Sequence, residues 1–194
     1  MPRLFFAVGI SRDVEAALRT LRTDLGRHPG CDRLRFVAPE QAHYTLRFLG
    51  EETLERQASA RQAGRGAALG LAPFDVTLER LGVFPDHRRA HTLWMGAGRG
   101  AAELTLLANR LEGQLVERGF SSEDRPFVPH LTIARVKRRL PAGALAGLLN
   151  IAVEAIGPFR VDRFALMESQ PTRTGVRYVA VETFSLEFTC TPSS

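Results

Sequence analysis

The chain is 194 residues long, 44% hydrophobic and 24% charged, the make-up of a folded domain large enough to bury its own core. No apolar run nears the roughly 18 to 20 residues that a bilayer span requires, so no membrane segment is expected. Its formal net charge is +5, with Lys137 the only lysine among 26 basic residues; the planar guanidinium suits phosphate, so the excess favours an anionic partner even though most single arginines are expected to be solvated.

In chain order, short apolar runs alternate with amphipathic ones. Leu4 to Ile10 reads as a buried strand and not as a signal peptide. Ser11 is placed as the N-cap of a helix that carries Val14, Leu18, Leu21 and Leu25 on one stripe and ends near Gly26. Leu34 to Val37 is a short predicted strand, and Tyr44 to Leu49 another, closed by Gly50. Thr53 to about Leu69 has helical spacing, Phe74 to Phe84 reads as a strand ended by Pro85-Asp86, and Thr92 to Met95 as the next strand. A helix over Ala101 to Arg118 ends at Gly119. Leu131 to Val136 is a strand, Ala142 to Leu149 a short helix, and Phe159 to Met167 and Arg177 to Phe188 a final strand pair.

Within this series His43-Tyr44-Thr45-Leu46 returns in kind as His130-Leu131-Thr132-Ile133, 87 positions later, in a chain with five histidines. Alternate side chains of a strand leave on opposite faces, so each His shares a face with its Thr while Tyr44, Leu46, Leu131 and Ile133 face the other way. The same offset lays Phe6-Ala7-Val8-Gly9 on Leu93-Trp94-Met95-Gly96, and an offset of 85 lays Pro73-Phe74-Asp75-Val76 on Pro158-Phe159-Arg160-Val161. Both halves then run strand, helix, His-x-Thr strand, helix, Pro-Phe-x-Val strand. The expected fold is α+β: one domain over 1–194, a bilobal duplicated unit with a first repeat of about 1–85 and a second of about 90–190. Two mostly antiparallel sheets flanked by helices are related by a pseudo-two-fold axis across a central cleft.

Two imidazoles facing one cleft from opposite sides suit in-line displacement at phosphorus. With an ordinary pKa near ~6.5, one ring is neutral and accepts the nucleophile's proton while the other is protonated and donates to the leaving oxygen. The Thr45 and Thr132 hydroxyls are placed to donate to non-bridging oxygens. Nothing in the residues alone says which histidine is the acid.

These strands resemble the signature strands of the two-histidine (2H) phosphoesterases, and within them the RNA 2′,3′-cyclic phosphodiesterases once called 2′-5′ RNA ligases. The similarity lies in His43-Tyr44-Thr45-Leu46-Arg47-Phe48-Leu49-Gly50 and Pro129-His130-Leu131-Thr132-Ile133-Ala134-Arg135. Weaker support comes from Arg3-Leu4-Phe5-Phe6-Ala7-Val8 and from Glu168-Ser169 through Gly175-Val176-Arg177-Tyr178. It implies metal-independent hydrolysis of an RNA terminal 2′,3′-cyclic phosphate to a 2′-phosphomonoester, with weak reversible 2′-5′ joining; apart from the resemblance, no cofactor is expected, and the protein is expected to be a cytoplasmic monomer. The resemblance also implies His43 as proton donor to the departing O3′, His130 as activator of water, and Arg135 as a phosphate contact. Strict alternation sets Arg135 opposite His130, so that role requires a bulge. Tyr44 stands where the family more often has an aliphatic residue, which is expected to alter packing more than chemistry. Two other readings keep the cleft: a cyclic phosphodiesterase of small nucleotides or ADP-ribose cyclic phosphate, and a nucleotide- or RNA-binding module without turnover.

Four remaining features are weighed against structural readings. Cys31 and Cys190 fit no metal or redox spacing and read as free thiols. His87 and His91 have a four-residue spacing that would suit a metal on a helix, but Pro85-Asp86 and a following strand argue for a loop, and no metal is expected. Lys137-Arg138-Arg139 is a basic run with two readings, a solvated loop or a phosphate track toward the cleft. Phe5, Phe6 and Trp94 are read as core strand residues, with base stacking the other reading for one of them.

Overall fold

The computed structural model describes residues 1–173 and 175–187. Cys190, and the Phe188 end of the last predicted strand, lie outside them. Along the chain the elements are β1 (Arg3–Gly9), α1 (Arg12–Leu25), β2 (Leu34–Phe36), β3 (His43–Glu51), α2 (Leu54–Ala68), β4 (Phe74–Phe84), β5 (Thr92–Ala97), α3 (Ala101–Val116), β6 (His130–Val136), α4 (Ala142–Leu149), β7 (Ile156–Val161), β8 (Arg163–Thr172) and β9 (Gly175–Ser185). The Ser11 cap is in place as predicted, and the structure adds a second at Thr53. The Ser11 hydroxyl accepts the Val14 N–H at the start of α1 (3.4 Å), and the Thr53 hydroxyl accepts that of Arg56 at the start of α2 (3.2 Å). Val14, Leu18, Leu21 and Leu25 form the buried stripe of α1.

All strand pairs are antiparallel, as expected for this α+β class. The two expected sheets are four-stranded halves, β9-β8-β1-β3 and β6-β5-β4-β7, fused through the single pair Tyr44↔Leu131 of β3 and β6, with β2 added alongside β6. The order is a palindrome about that junction. Its symmetry extends to individual residues: Gly9↔His43, Val8↔Tyr44, Ala7↔Thr45, Phe6↔Arg47 and Phe5↔Phe48 in one half recur 87 positions on as Gly96↔His130, Met95↔Leu131, Trp94↔Thr132, Leu93↔Ala134 and Thr92↔Arg135. Even the bulge is duplicated, skipping Leu46 in β3 and Ile133 in β6.

Two sequence expectations are corrected. The predicted strand Phe159 to Met167 is two strands, separated at Asp162: β7 pairs with β4, whereas β8 crosses to pair with β1 and β9. The Pro-Phe-x-Val segments aligned at an offset of 85 are hydrogen-bonded partners of each other (Phe74↔Val161, Val76↔Phe159) and not equivalents. The structural equivalent of β4 is β8: Gly82, Val83 and Phe84 face Trp94, Leu93 and Thr92 of β5 as Ala165, Leu166 and Met167 face Ala7, Phe6 and Phe5 of β1. Each repeat therefore lends its third strand to the other half of the sheet, and the two halves interlock.

Helices cover one face of the sheet. There α2 and α3 pack on each other, Gly64 of α2 lets the Phe184 ring of β9 approach its backbone, and the core is one continuous cluster that includes Leu4, Phe6, Leu104, Leu111 and Leu131. Tyr44 belongs to it, with no exposed surface, and its hydroxyl has no hydrogen-bond partner among the described residues. Burial pushes its phenol pKa up. A buried unpaired hydroxyl is destabilising by about 1–3 kcal/mol, and Leu131 fills the equivalent position. Tyr44→Phe is expected to raise stability by about 1 kcal/mol, seen as a melting temperature roughly 2–4 °C higher; a lower one would mean that the hydroxyl is paired. No helix among the described residues is long and apolar enough to cross a membrane.

Candidate active site

The sheet face away from the helices carries the predicted residues. His43, Thr45, His130 and Thr132 are half-buried while their alternating neighbours Tyr44, Leu46, Leu131 and Ile133 are buried. With Tyr44 opposite Leu131 in an antiparallel pair, His43 and His130 are diagonal neighbours on adjoining strands. Each ring is held in the same way. His43 Nδ1 lies 2.7 Å from the Gln41 carbonyl and His130 Nδ1 lies 2.8 Å from that of Val128, two residues back in both cases. A carbonyl only accepts, so each Nδ1 carries the hydrogen and each Nε2 is the nitrogen left for chemistry.

Aromatic rings fix the imidazoles from the side. Tyr178 of β9 meets His43 edge-on at 5.2 Å, with Phe5 at 5.1 Å, and Phe84 meets His130 edge-on at 4.7 Å, with Trp94 at 6.1 Å. The Trp94 ring lies against Gly82 of the neighbouring strand, in space that any side chain there would occupy. Burial pulls both imidazole pKa values down. A lesser effect acts on each: the charge of His130 on His43, and that of Arg135 on His130.

The bulge that Arg135 requires is present. Skipping Ile133 returns Arg135 to the face of His130 and Thr132, where it is exposed and its Nη1 donates to Thr92 Oγ1 at 2.8 Å. Sequence reasoning missed the symmetry mate of Arg135. It is Phe48, 60% exposed on the His43 face and packed on Phe5. The cleft is thus unequal: the pair Phe5/Phe48 on one strand ladder is replaced by Thr92/Arg135 on the other. The offset of 87 already linked these positions, so Phe48 could have been found from it.

Arg47, next to Phe48, turns to the helix side. Its side chain is 12% exposed, and the guanidinium donates to Glu112 of α3 (2.7 Å), Glu123 (3.2 Å) and the Ser121 carbonyl (2.6 Å). Glu112 in turn accepts the Glu123 backbone N–H (2.7 Å). His87 and His91 lie in the loop between β4 and β5, not on a helix.

Compared with known proteins, residues 5–173 match the family described as the 2′-5′ RNA ligase superfamily. The chain is 32% identical to the RNA 2′,3′-cyclic phosphodiesterase of Archaeoglobus fulgidus over 94% of its own length and 99% of that protein. Among solved structures it is similar to the protein TT0787 of Thermus thermophilus (TM-score 0.77, 30% identity, 95% of this chain and 97% of that one). It is also similar to E. coli LigT complexed with 3′-AMP (TM-score 0.75, 27% identity, 96% and 99%).

Proposed function

Because the chain belongs to the 2′-5′ RNA ligase superfamily, we propose that it hydrolyses the 2′,3′-cyclic phosphate at an RNA end to a 2′-phosphomonoester, with its two histidines as acid and base. The observation that carries this reading is the twinned tether: both Nδ1 atoms bound to main-chain carbonyls, and neither Nε2 hydrogen-bonded among the described residues, on one face of adjoining strands. His43 is assigned as the acid and His130 as the base, as the resemblance of their strands implies, and Arg135, a permanent cation that opposes protonation of His130, favours a neutral base there.

Water gives its proton to His130 Nε2 as it attacks phosphorus in line, and His43 Nε2–H delivers a proton to the departing O3′. Arg135 and the Thr45 and Thr132 hydroxyls bind the non-bridging oxygens, whose charge rises in the transition state. A 2′,3′-cyclic ring holds its leaving group in strain, so the protein's own residues complete the reaction without a metal. The same acid and base, run backward with a 5′-hydroxyl in place of water, would form a 2′-5′ linkage.

Phosphorus NMR of a 2′,3′-cyclic phosphate incubated with the protein and a chelator tests this. Loss of the cyclic signal with growth of a 2′-monoester alone is expected, and a 3′-monoester or no turnover refutes it. A pH profile checks the charge state. Both histidine pKa values are depressed, so the acid His43 loses its proton below ~6.5, and kcat/KM, which reports the free enzyme, should already fall as pH rises through that value. A plateau extending to pH 8 would rule out His43 as the acid.

A further inference from the structure

A groove of about 990 Å³ lies beyond the end of β6, between the β4–β5 loop and the segment that leads into α4. Its rim carries Arg88, Arg89, Lys137, Arg138 and Arg139, all exposed. Two acids answer these five cations: Asp86 sits 3.9 Å from Arg89, and Asp32 sits 3.6 Å from Arg138. The walls beneath are apolar, with Leu140 and Leu145. Arg33 Nη1 donates to the Arg139 carbonyl and ties this segment to the start of β2.

The position of the groove gives it a direction. β6 runs antiparallel to β3, so past Thr132 it continues beyond the end of β3 at which His43 stands. β2 then flanks it, with Arg35, also exposed, opposite Arg135, and the groove opens at the next residue, Val136. From Thr132 to Val136 is roughly 13 Å of strand. A departing O3′ at His43 places the terminal nucleoside at that same end.

We infer that this groove binds the phosphodiester backbone of the RNA chain 5′ of the cyclic phosphate, making oligonucleotides, not mononucleotides, the preferred substrates. The inference rests on the proposed hydrolysis for its direction. Exposed guanidinium groups around a groove of this length match repeated phosphates, and a chain holding several of them releases counterions as it binds. A mononucleotide held between the histidines does not reach it.

The test compares wild type with the combined variant Arg88→Ala, Arg89→Ala, Arg138→Ala and Arg139→Ala, none of which is in the catalytic machinery. The substrates are a mononucleoside 2′,3′-cyclic phosphate and a 12-residue RNA ending in the same group. Wild type should favour the RNA at least about tenfold in kcat/KM at low salt, and the variant should lose that advantage with mononucleotide turnover unchanged. The slope of log kcat/KM for RNA against log salt should fall by roughly 2–3, about 0.7 per phosphate contact removed. An RNA preference that survives in the variant, or equal loss on both substrates, overturns the groove. If wild type hydrolyses neither substrate, the proposed function fails instead. Fluorescence anisotropy with the same RNA lacking the cyclic end then decides the groove alone: at least about tenfold weaker binding by the variant supports it, and equal binding overturns it.

Discussion

Replacing either His43 or His130 by alanine is expected to lower kcat on a 2′,3′-cyclic phosphate by about 10²–10⁴, the usual worth of one positioned proton transfer. The double variant should be little worse than the poorer single one, because an acid and a base that act in the same step fail together. Folding should survive. Both rings are half-buried on the open face of the sheet and each has one hydrogen bond to a neighbouring main-chain carbonyl, so neither supports the helix-side core. His43→Asn and His130→Asn sharpen the test, since the amide can still donate to the Gln41 or Val128 carbonyl while Nε2 is lost. They should be as inactive as the alanine variants and melt within about 2 °C of wild type. Turnover within tenfold of wild type in any of the four would remove the two-histidine mechanism.

What the sequence disclosed is the part of the fold written in local chemistry. Ser11 is a cap because its side chain takes a nearby N–H, and Val14 through Leu25 show a helical stripe that any reading of period would find. The His-x-Thr strands were legible because the duplication preserves an entire ladder, not just four letters. Strand exchange between the halves was not legible. Whether β4 is equivalent to β7 or paired with it depends on long-range register, and two strands with the same Pro-Phe-x-Val pattern satisfy either arrangement. The break at Asp162 was written in the sequence and overlooked: the buried positions change phase across Asp162-Arg163, from Phe159 and Val161 to Phe164 and Leu166, where the chain changes partners from β4 to β1. Of the site, both histidines, both threonines and the need for a bulge before Arg135 came from the sequence. Tyr178 against His43 did not, because β9 is brought to the site from 135 positions away by the pairing of β8 with β1.

Arg47 is the residue whose importance only the packed structure shows. In the sequence it is one of 26 basic residues and sits inside a signature strand. In the fold it is the largely buried cation that binds β3, the strand bearing His43, to α3 and to the segment at Ser121–Glu123. Its equivalent in the other half is Ala134, so symmetry gives no hint of it. Arg47→Met is expected to destabilise by about 3 kcal/mol, because it leaves Glu112, 27% exposed, and the Ser121 carbonyl without their partner. For a chain of this size that corresponds to a melting temperature roughly 6–12 °C lower. Arg47→Lys should recover only part of it, since an ammonium cannot reproduce the three-way fork. At 25 °C the folded Arg47→Met protein should retain kcat within a few-fold, because the guanidinium faces the helices and not the cleft. A melting shift below about 2 °C would show that the network is solvated and weak, and loss of turnover without loss of stability would place Arg47 on the catalytic side of the sheet.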